Sequence, residues 1–254
     1  MDVESLAVRS TNAADYQEAP RPVAVMVKGF ASGSSTGWHV HPRGQVLYAT
    51  SGLMLAMTEE GAWAVPTGHA LLIPPGIRHD ISMHGEVHML TAYVARERWP
   101  RLGSPECRVI WVSRLLDCAL AALGDEPVLY DAAGRGAHLA ALALDEIDRA
   151  ADAEFALPLP KSEKLRRVCR ALLANPASAG GLDDWAETAA TSRRNLTRLF
   201  RKETGMSFAA WRRQLRRLQG LKLREEGAPL KAIAARVGYA SPRALSVMMK
   251  RTPR

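Results

Sequence analysis

A chain of 254 residues, 47% of them apolar, is long enough to build two domains of ordinary size, each with its own core. No stretch reaches the ~18 uninterrupted apolar residues of a membrane span, so membrane classes are set aside, and the polar, acidic start MDVESLAVRSTNAADYQEAP does not read as a secretory leader. The formal charge of +8 conceals a split: residues 161–254 hold 22 Lys and Arg against 7 Asp and Glu, a net of +15, which leaves the rest acidic. A basic segment joined to an acidic one is the footprint of a nucleic-acid-binding domain attached to something else. Cys107, Cys118 and Cys169 are odd in number and lack CxxC spacing, which argues against a disulfide framework and fits a reducing compartment.

Residues 1–21 read as a loose, flexible arm. Over 22–95, apolar and β-branched runs such as VAVMVKGF (23–30), QVLYAT (45–50), HALLIP (69–74) and VHMLTAYV (87–94) alternate with Gly and Pro turn signals. Many short strands at even spacing predict an antiparallel sandwich or barrel. The spacing then changes. Leu115, Leu116, Ala119, Leu120 and Leu123 recur at helical intervals, as do Leu139, Leu142, Leu144 and Ile147, so 96–150 reads as a helical connector. Its apolar face needs a partner, which makes it the expected seam of a homodimer. The Pro-interrupted stretch 151–164 reads as a linker.

From 165 to 254 the chain is helical and basic. Residues 182–204 contain a short helix, a tight turn and a second helix, for which Ser192 is a suitable N-cap. The second helix turns Leu196, Leu199 and Phe200 inward. The layout repeats at 230–251, where Gly238-Tyr239-Ala240 forms the turn, Ser241 the cap, and Pro242 occupies the first helical position. Between the two units, Ser207–Glu225 predicts a continuous helix about 28 Å long, enough to set two recognition helices roughly one DNA turn, ~34 Å, apart.

The stretch LDDWAETAATSRRNLTRLFRKETGMSFAAWRRQLRRLQGLKLREEGAPLKAIAARVGYASPRAL resembles the DNA-binding domain of the AraC/XylS regulators. That resemblance implies a bacterial, cytoplasmic, nucleoid-associated activator or repressor that binds double-stranded DNA, with RNA polymerase as a further partner. It implies base contacts from Arg194, Thr197 and Arg198 in the first unit and from Arg243, Ser246 and Val247 in the second. Arginine pairs with guanine in a bidentate way, so Arg194 and Arg198 are the foremost base readers. Arg193, Arg201, Lys202, Arg212 and Arg213 are expected at phosphates. Two departures stand out. Ala190 replaces the usual turn glycine, which is tolerable at negative φ, and Leu245 and Met249 stand where the family usually has Phe.

In GSSTGWHVHPRGQVLYATSG, His39 and His41 are two apart, so on a strand both point to one face. With Gln45 and the later His79 these spacings resemble the two motifs of the cupin superfamily. The implied fold is therefore α+β and two-domain: a cupin-like barrel with flanking helices, followed by an all-α domain with two helix-turn-helix units. The implied ligands of a divalent transition metal (zinc, nickel, copper or iron) are His39, His41, Gln45 and His79, with Gln in place of the usual Glu. The same histidines could instead line a metal-free pocket for a small-molecule effector, with Trp38, Tyr48 and Trp63 as further lining candidates. A cupin-type metalloenzyme, a dioxygenase or isomerase with a helical extension, is the alternative reading. The missing Glu ligand and the specificity of the C-terminal resemblance weigh against an enzyme.

Overall fold

The computed structural model describes residues 10–102 and 105–250. They fall into two compact units, Met1–Ala56 with Val65–Ala153, and Met57–Ala64 with Glu154–Arg254.

The first unit is built on an antiparallel, barrel-like sheet that is not closed. β1 (Val23–Phe30) pairs with β5 (His79–Val94), which neighbours the long β2 (Gly44–Thr58). β4 (His69–Ile73) pairs with β2 and with β6 (Arg108–Trp111). Inside β2 and β5, Gly52 (φ 72°) and Gly85 (φ 73°) interrupt the pleat in a conformation that L side chains resist. A Cβ on Gly52 would also lie 2.7 Å from the Glu86 carbonyl oxygen.

Strand parity sorts the two faces. Val23, Val25, Val46, Tyr48, Leu90, Ala92 and Val94 pack against α1 (Arg114–Asp125) and α2 (Arg135–Arg149). The helices answer with Leu116, Leu120 and Leu123, and with Ala140, Ala143, Leu144 and Ile147. Burying a side chain the size of Leu116 or Ile147 contributes roughly 1.5–3 kcal/mol. Ser113 starts α1 by accepting a hydrogen bond from the Leu116 N–H at 3.0 Å. The opposite face of the sheet carries Met26, Gln45, Met89 and Tyr93, which line a cavity.

The second unit contains α3 (Glu163–Ala174), α4 (Leu182–Thr188), α5 (Arg193–Thr204), α6 (Phe208–Glu225), α7 (Leu230–Arg236) and α8 (Pro242–Lys250). At its centre Phe200 meets the rings of Phe208 and Trp211 edge-on at 5.2 and 5.7 Å. Ile233, Ala234, Val237 and Leu245 form a smaller core for the second helix pair, with Met248 and Met249 against it.

Three expectations are corrected. Residues 10–21 are not loose: a 3-10 turn at Ala13–Tyr16 buries Tyr16 against Tyr93, the rings 5.8 Å apart. Residues 1–9 of the expected arm lie outside the described residues. β6 occupies part of the segment read as helical. The expected linker holds β7 (Ala156–Pro158), which pairs with β3 (Gly61–Pro66) at Gly61–Trp63. Its Phe155 and Leu157 are buried, and the Trp211 indole N–H donates to the Pro158 carbonyl at 2.7 Å.

Candidate nucleic-acid interface and histidine cluster

The two helix-turn-helix units close their turns identically. In the first, the Thr191 N–H donates to the Ala186 carbonyl at 3.0 Å; in the second, the Tyr239 N–H donates to Ala234 at 2.8 Å. This six-to-one bond needs a left-handed residue just before the donor. Gly238 supplies it at φ 77°, and Ala190 at φ 48°. The condition under which alanine would be tolerable at 190, a negative φ, is therefore not met: the turn imposes the glycine conformation on an alanine. Each following helix is capped by serine, Ser192 accepting from Asn195 at 3.3 Å and Ser241 from Ala244 at 3.2 Å.

Capping and burial fix which faces remain. Leu196, Phe200 and Thr204 turn inward on α5, leaving Arg193, Arg194, Arg198, Arg201 and Lys202 exposed. The Arg198 guanidinium donates to Asn195 Oδ1 at 2.8 Å, which aligns it along the helix. The Thr197 hydroxyl is half-buried and donates back to the Arg193 and Arg194 carbonyls at 3.1 and 3.0 Å. On α8, Leu245 is buried, Arg243 and Val247 are exposed, and Ser246 is half-buried. Arg213 is exposed on α6. Arg212, expected at a phosphate, is engaged elsewhere: its guanidinium donates to the Gly180 and Ser178 carbonyls at 2.9 and 2.5 Å and fastens the loop before α4.

In the first unit, the segment before β2 lies antiparallel to the start of β5. The His39 N–H donates to the His79 carbonyl and the His79 N–H to the His39 carbonyl, both at 2.9 Å. This pair sets the two rings 4.3 Å apart, with the His41 ring 5.1 Å from His79. One ligand nitrogen from each of His39, His41 and His79 lies within 4.8 Å of the others. Each Nδ1 is placed against a backbone carbonyl: Gly37 for His39 at 2.8 Å, Arg43 for His41 at 2.7 Å and Ile77 for His79 at 2.8 Å. A proton on Nδ1 leaves the Nε2 lone pair free, which is the outer-shell arrangement that orients metal-binding imidazoles.

The electrostatics agree with neutral rings. Burial, backed by the neighbouring His39 and His41, lowers the His79 pKa to about 4, and burial also holds His41 below its ordinary value. Among the described residues, His79 Nε2 is buried without a hydrogen-bond partner. Gln45 completes the group, its Oε1 lying 3.2 Å from His41 Nε2. Its amide can donate to that nitrogen, or its oxygen can join the three nitrogens around a cation. Three imidazole nitrogens, an orphaned lone pair and one amide oxygen fit a borderline transition metal.

Next to this group lies a cavity of about 590 Å³ whose lining includes His39, Gln45, Lys28, Phe30 and Tyr93. None of the three aromatic candidates lines it. Trp38 is 46% exposed, beneath the Arg78 guanidinium at 5.2 Å. Tyr48 faces the helices and donates to Asp117 Oδ1 at 2.9 Å. Trp63 is buried in the second unit's share of β3.

Sequence reasoning passed over Arg43. It is buried, and its guanidinium donates to the carbonyls of Ala19, Arg21, Pro22 and Tyr93 at 2.6–3.3 Å. It ties residues 19–22 and β5 to the strand entry between His41 and Gln45, so it positions the cluster. The available signal was a lone charge next to a run of buried strand residues.

Residues 29–144 match the model of the AraC-like ligand binding domain, and residues 185–253 match that of a helix-turn-helix domain. The chain is 28% identical over 215 residues to the HTH-type transcriptional regulator NimR of Escherichia coli (strain K12), covering 84% of this chain and 77% of that protein. It is 35% identical over 94 residues to the HTH-type transcriptional regulator RipA of Corynebacterium glutamicum, covering 37% of this chain and 28% of that one. A solved structure of ToxT from Vibrio cholerae O395 aligns over 91% of this chain and 94% of its own, at 12% identity and a TM-score of 0.37, a likeness too loose to add to the sequence matches. The twin helix-turn-helix units, the β-rich unit before them and these matches identify the chain as a member of the AraC/XylS family, a DNA-binding transcription regulator with an N-terminal ligand-binding domain.

Proposed function

We propose that DNA binding by the second unit is controlled by what occupies the first: a small molecule in the 590 Å³ cavity, with a divalent transition metal held by His39, His41 and His79 and assisted by Gln45. The observation that carries this reading is the convergence of three backbone-oriented imidazoles beside a cavity large enough for a small ligand. A metal there would supply an open coordination position for a donor atom of the effector. The protein's own part is to aim the three rings, which the Gly37, Arg43 and Ile77 carbonyls do, while burial keeps His41 and His79 neutral. On the DNA side we assign base contacts to Arg194, Thr197, Arg198, Arg243, Ser246 and Val247, and phosphate contacts to Arg193, Arg201, Lys202 and Arg213.

The test uses the untagged full chain. Zinc titrated into chelator-stripped protein should bind near one per chain, and His79→Ala, checked for native circular dichroism, should weaken it by about 100-fold or more. Loading should also change operator affinity by at least about fivefold, the lower end of ordinary coupling. Absence of binding to the parent protein would remove the metal, and unchanged operator affinity would remove its control.

We further propose a homodimer through the outer side of α1. Leu115 in its first turn is 50% exposed, and Trp111, at the end of the preceding β6, is 45% exposed. Sedimentation should find a dimer for the parent chain and a monomer for Leu115→Glu; a parent that sediments as a monomer at micromolar concentration would overturn the assignment.

A further inference from the structure

The second unit contains a cavity of about 420 Å³ formed by α6 and α8 with Glu154 and Tyr239 at its edge. Its lining includes the apolar Met206, Val247 and Met248. It also includes Arg213 and Arg217, four residues apart and so on one face of α6. Arg217 is 7% exposed. A guanidinium so far from water needs a counter-charge or a full set of acceptors. Arg217 has little of either: Nη1 donates to the Glu154 carbonyl at a long 3.3 Å, and the group lies over the Phe155 ring at 4.6 Å. Among the described residues, no carboxylate oxygen lies within 4.0 Å of it. The exposed Glu154 carboxylate acts on it only from farther away.

A buried cation held by one long hydrogen bond and without a close counter-charge among the described residues, on the wall of a cavity that also has apolar lining, describes a ligand with one anionic end and one greasy end. We infer that this cavity binds a small amphipathic carboxylic acid, its carboxylate on Arg217 with Arg213 beside it and its apolar body against Met206, Val247 and Met248. The anion supplies the charge that the fold leaves out, and a planar carboxylate matches the guanidinium fork. The methionines accept varied apolar shapes. Val247 is 56% exposed, and a bound ligand would cover it. On the base-contact assignment above, that opposes DNA binding; the site itself does not depend on that assignment.

The methionines also provide the test. The full chain, labelled with 13C at its methionine methyls, is titrated with 4-phenylbutanoate and separately with its uncharged amide. Met206 and Met248 report this cavity, and Met26 and Met89 report the cavity of the first unit. The acid should shift Met206 and Met248 saturably, and the amide should bind at least about tenfold more weakly, as loss of a charge-assisted hydrogen bond requires. Arg217→Met should weaken the acid by a similar factor. Arg213→Ala, at an exposed position that leaves the core intact, should weaken it several-fold and decides the case if Arg217→Met does not fold. Silent Met206 and Met248, shifts confined to Met26 and Met89, equal binding of the amide, or unchanged affinity in the folded arginine variants would each overturn the site.

Discussion

Ala190 occupies a backbone position that its Cβ disfavours. At φ 48° the side chain crowds the following carbonyl, at a cost of about 1 kcal/mol or more. The corresponding residue of the second unit, Gly238, takes φ 77° without that cost. Ala190→Gly should therefore raise the stability of the second unit, by about 0.5–1 kcal/mol after subtracting the extra freedom glycine gives the unfolded chain. Thermal unfolding checks it: the expected sign is a higher Tm, and a lower one would mean that the turn tolerates alanine without strain. The sequence showed that a glycine was missing at 190. It did not show the sign of φ, because that is dictated by the bond from Thr191 to Ala186, a contact that exists only once both helices are in place.

At the scale of the element, period-two alternation decides more than composition does. Gln45 and Tyr48 are three apart on β2, so their side chains must leave opposite faces of the sheet. Gln45 lines the cavity, whereas Tyr48 packs among the helices with its hydroxyl on Asp117. That assignment was legible in the sequence from parity alone and was missed by treating aromatic residues as pocket candidates wherever they occurred. The His39–His41 pair was legible for the same reason. The approach of His79 was legible only through the resemblance to the cupin motifs, because it depends on a bridge between segments 40 residues apart. Likewise β6 and β7 are four- and three-residue strands whose pairing partners, not their own periodicity, make them strands. Tyr48→Phe should then cost about 1 kcal/mol through the unpaired Asp117 bond, while zinc affinity stays within about twofold of the parent. Calorimetry of unfolding and of zinc binding on the same protein separates the two; a large loss of metal binding would put Tyr48 back at the site.

For the molecule as a whole, charge is distributed by unit rather than averaged. The +15 of residues 161–254 is carried largely on helices whose apolar faces are spent on the core, so its arginines project outward. Some of that charge is structural. Arg212 and Arg216 hold loop carbonyls, and Arg217 is buried, so counting basic residues overstates the number that can meet DNA. Subtracting them leaves Arg193, Arg201, Lys202 and Arg213 as the assigned phosphate ligands, about four released counterions, and a slope of log K against log salt of about −4. Removing one, Arg201→Ala, should flatten that slope by about one and weaken operator and random duplexes alike. Arg194→Ala and Arg198→Ala should leave the slope of random-sequence binding nearly unchanged and cost about 1–3 kcal/mol on the operator alone, since base-edge contacts carry sequence discrimination. Fluorescence anisotropy across a salt series, with both duplexes, reads all three variants. If Arg212→Ala flattened the slope as Arg201→Ala does, with its fold intact, the loop-fastening role given to Arg212 would be wrong and the count of phosphate ligands would rise to five.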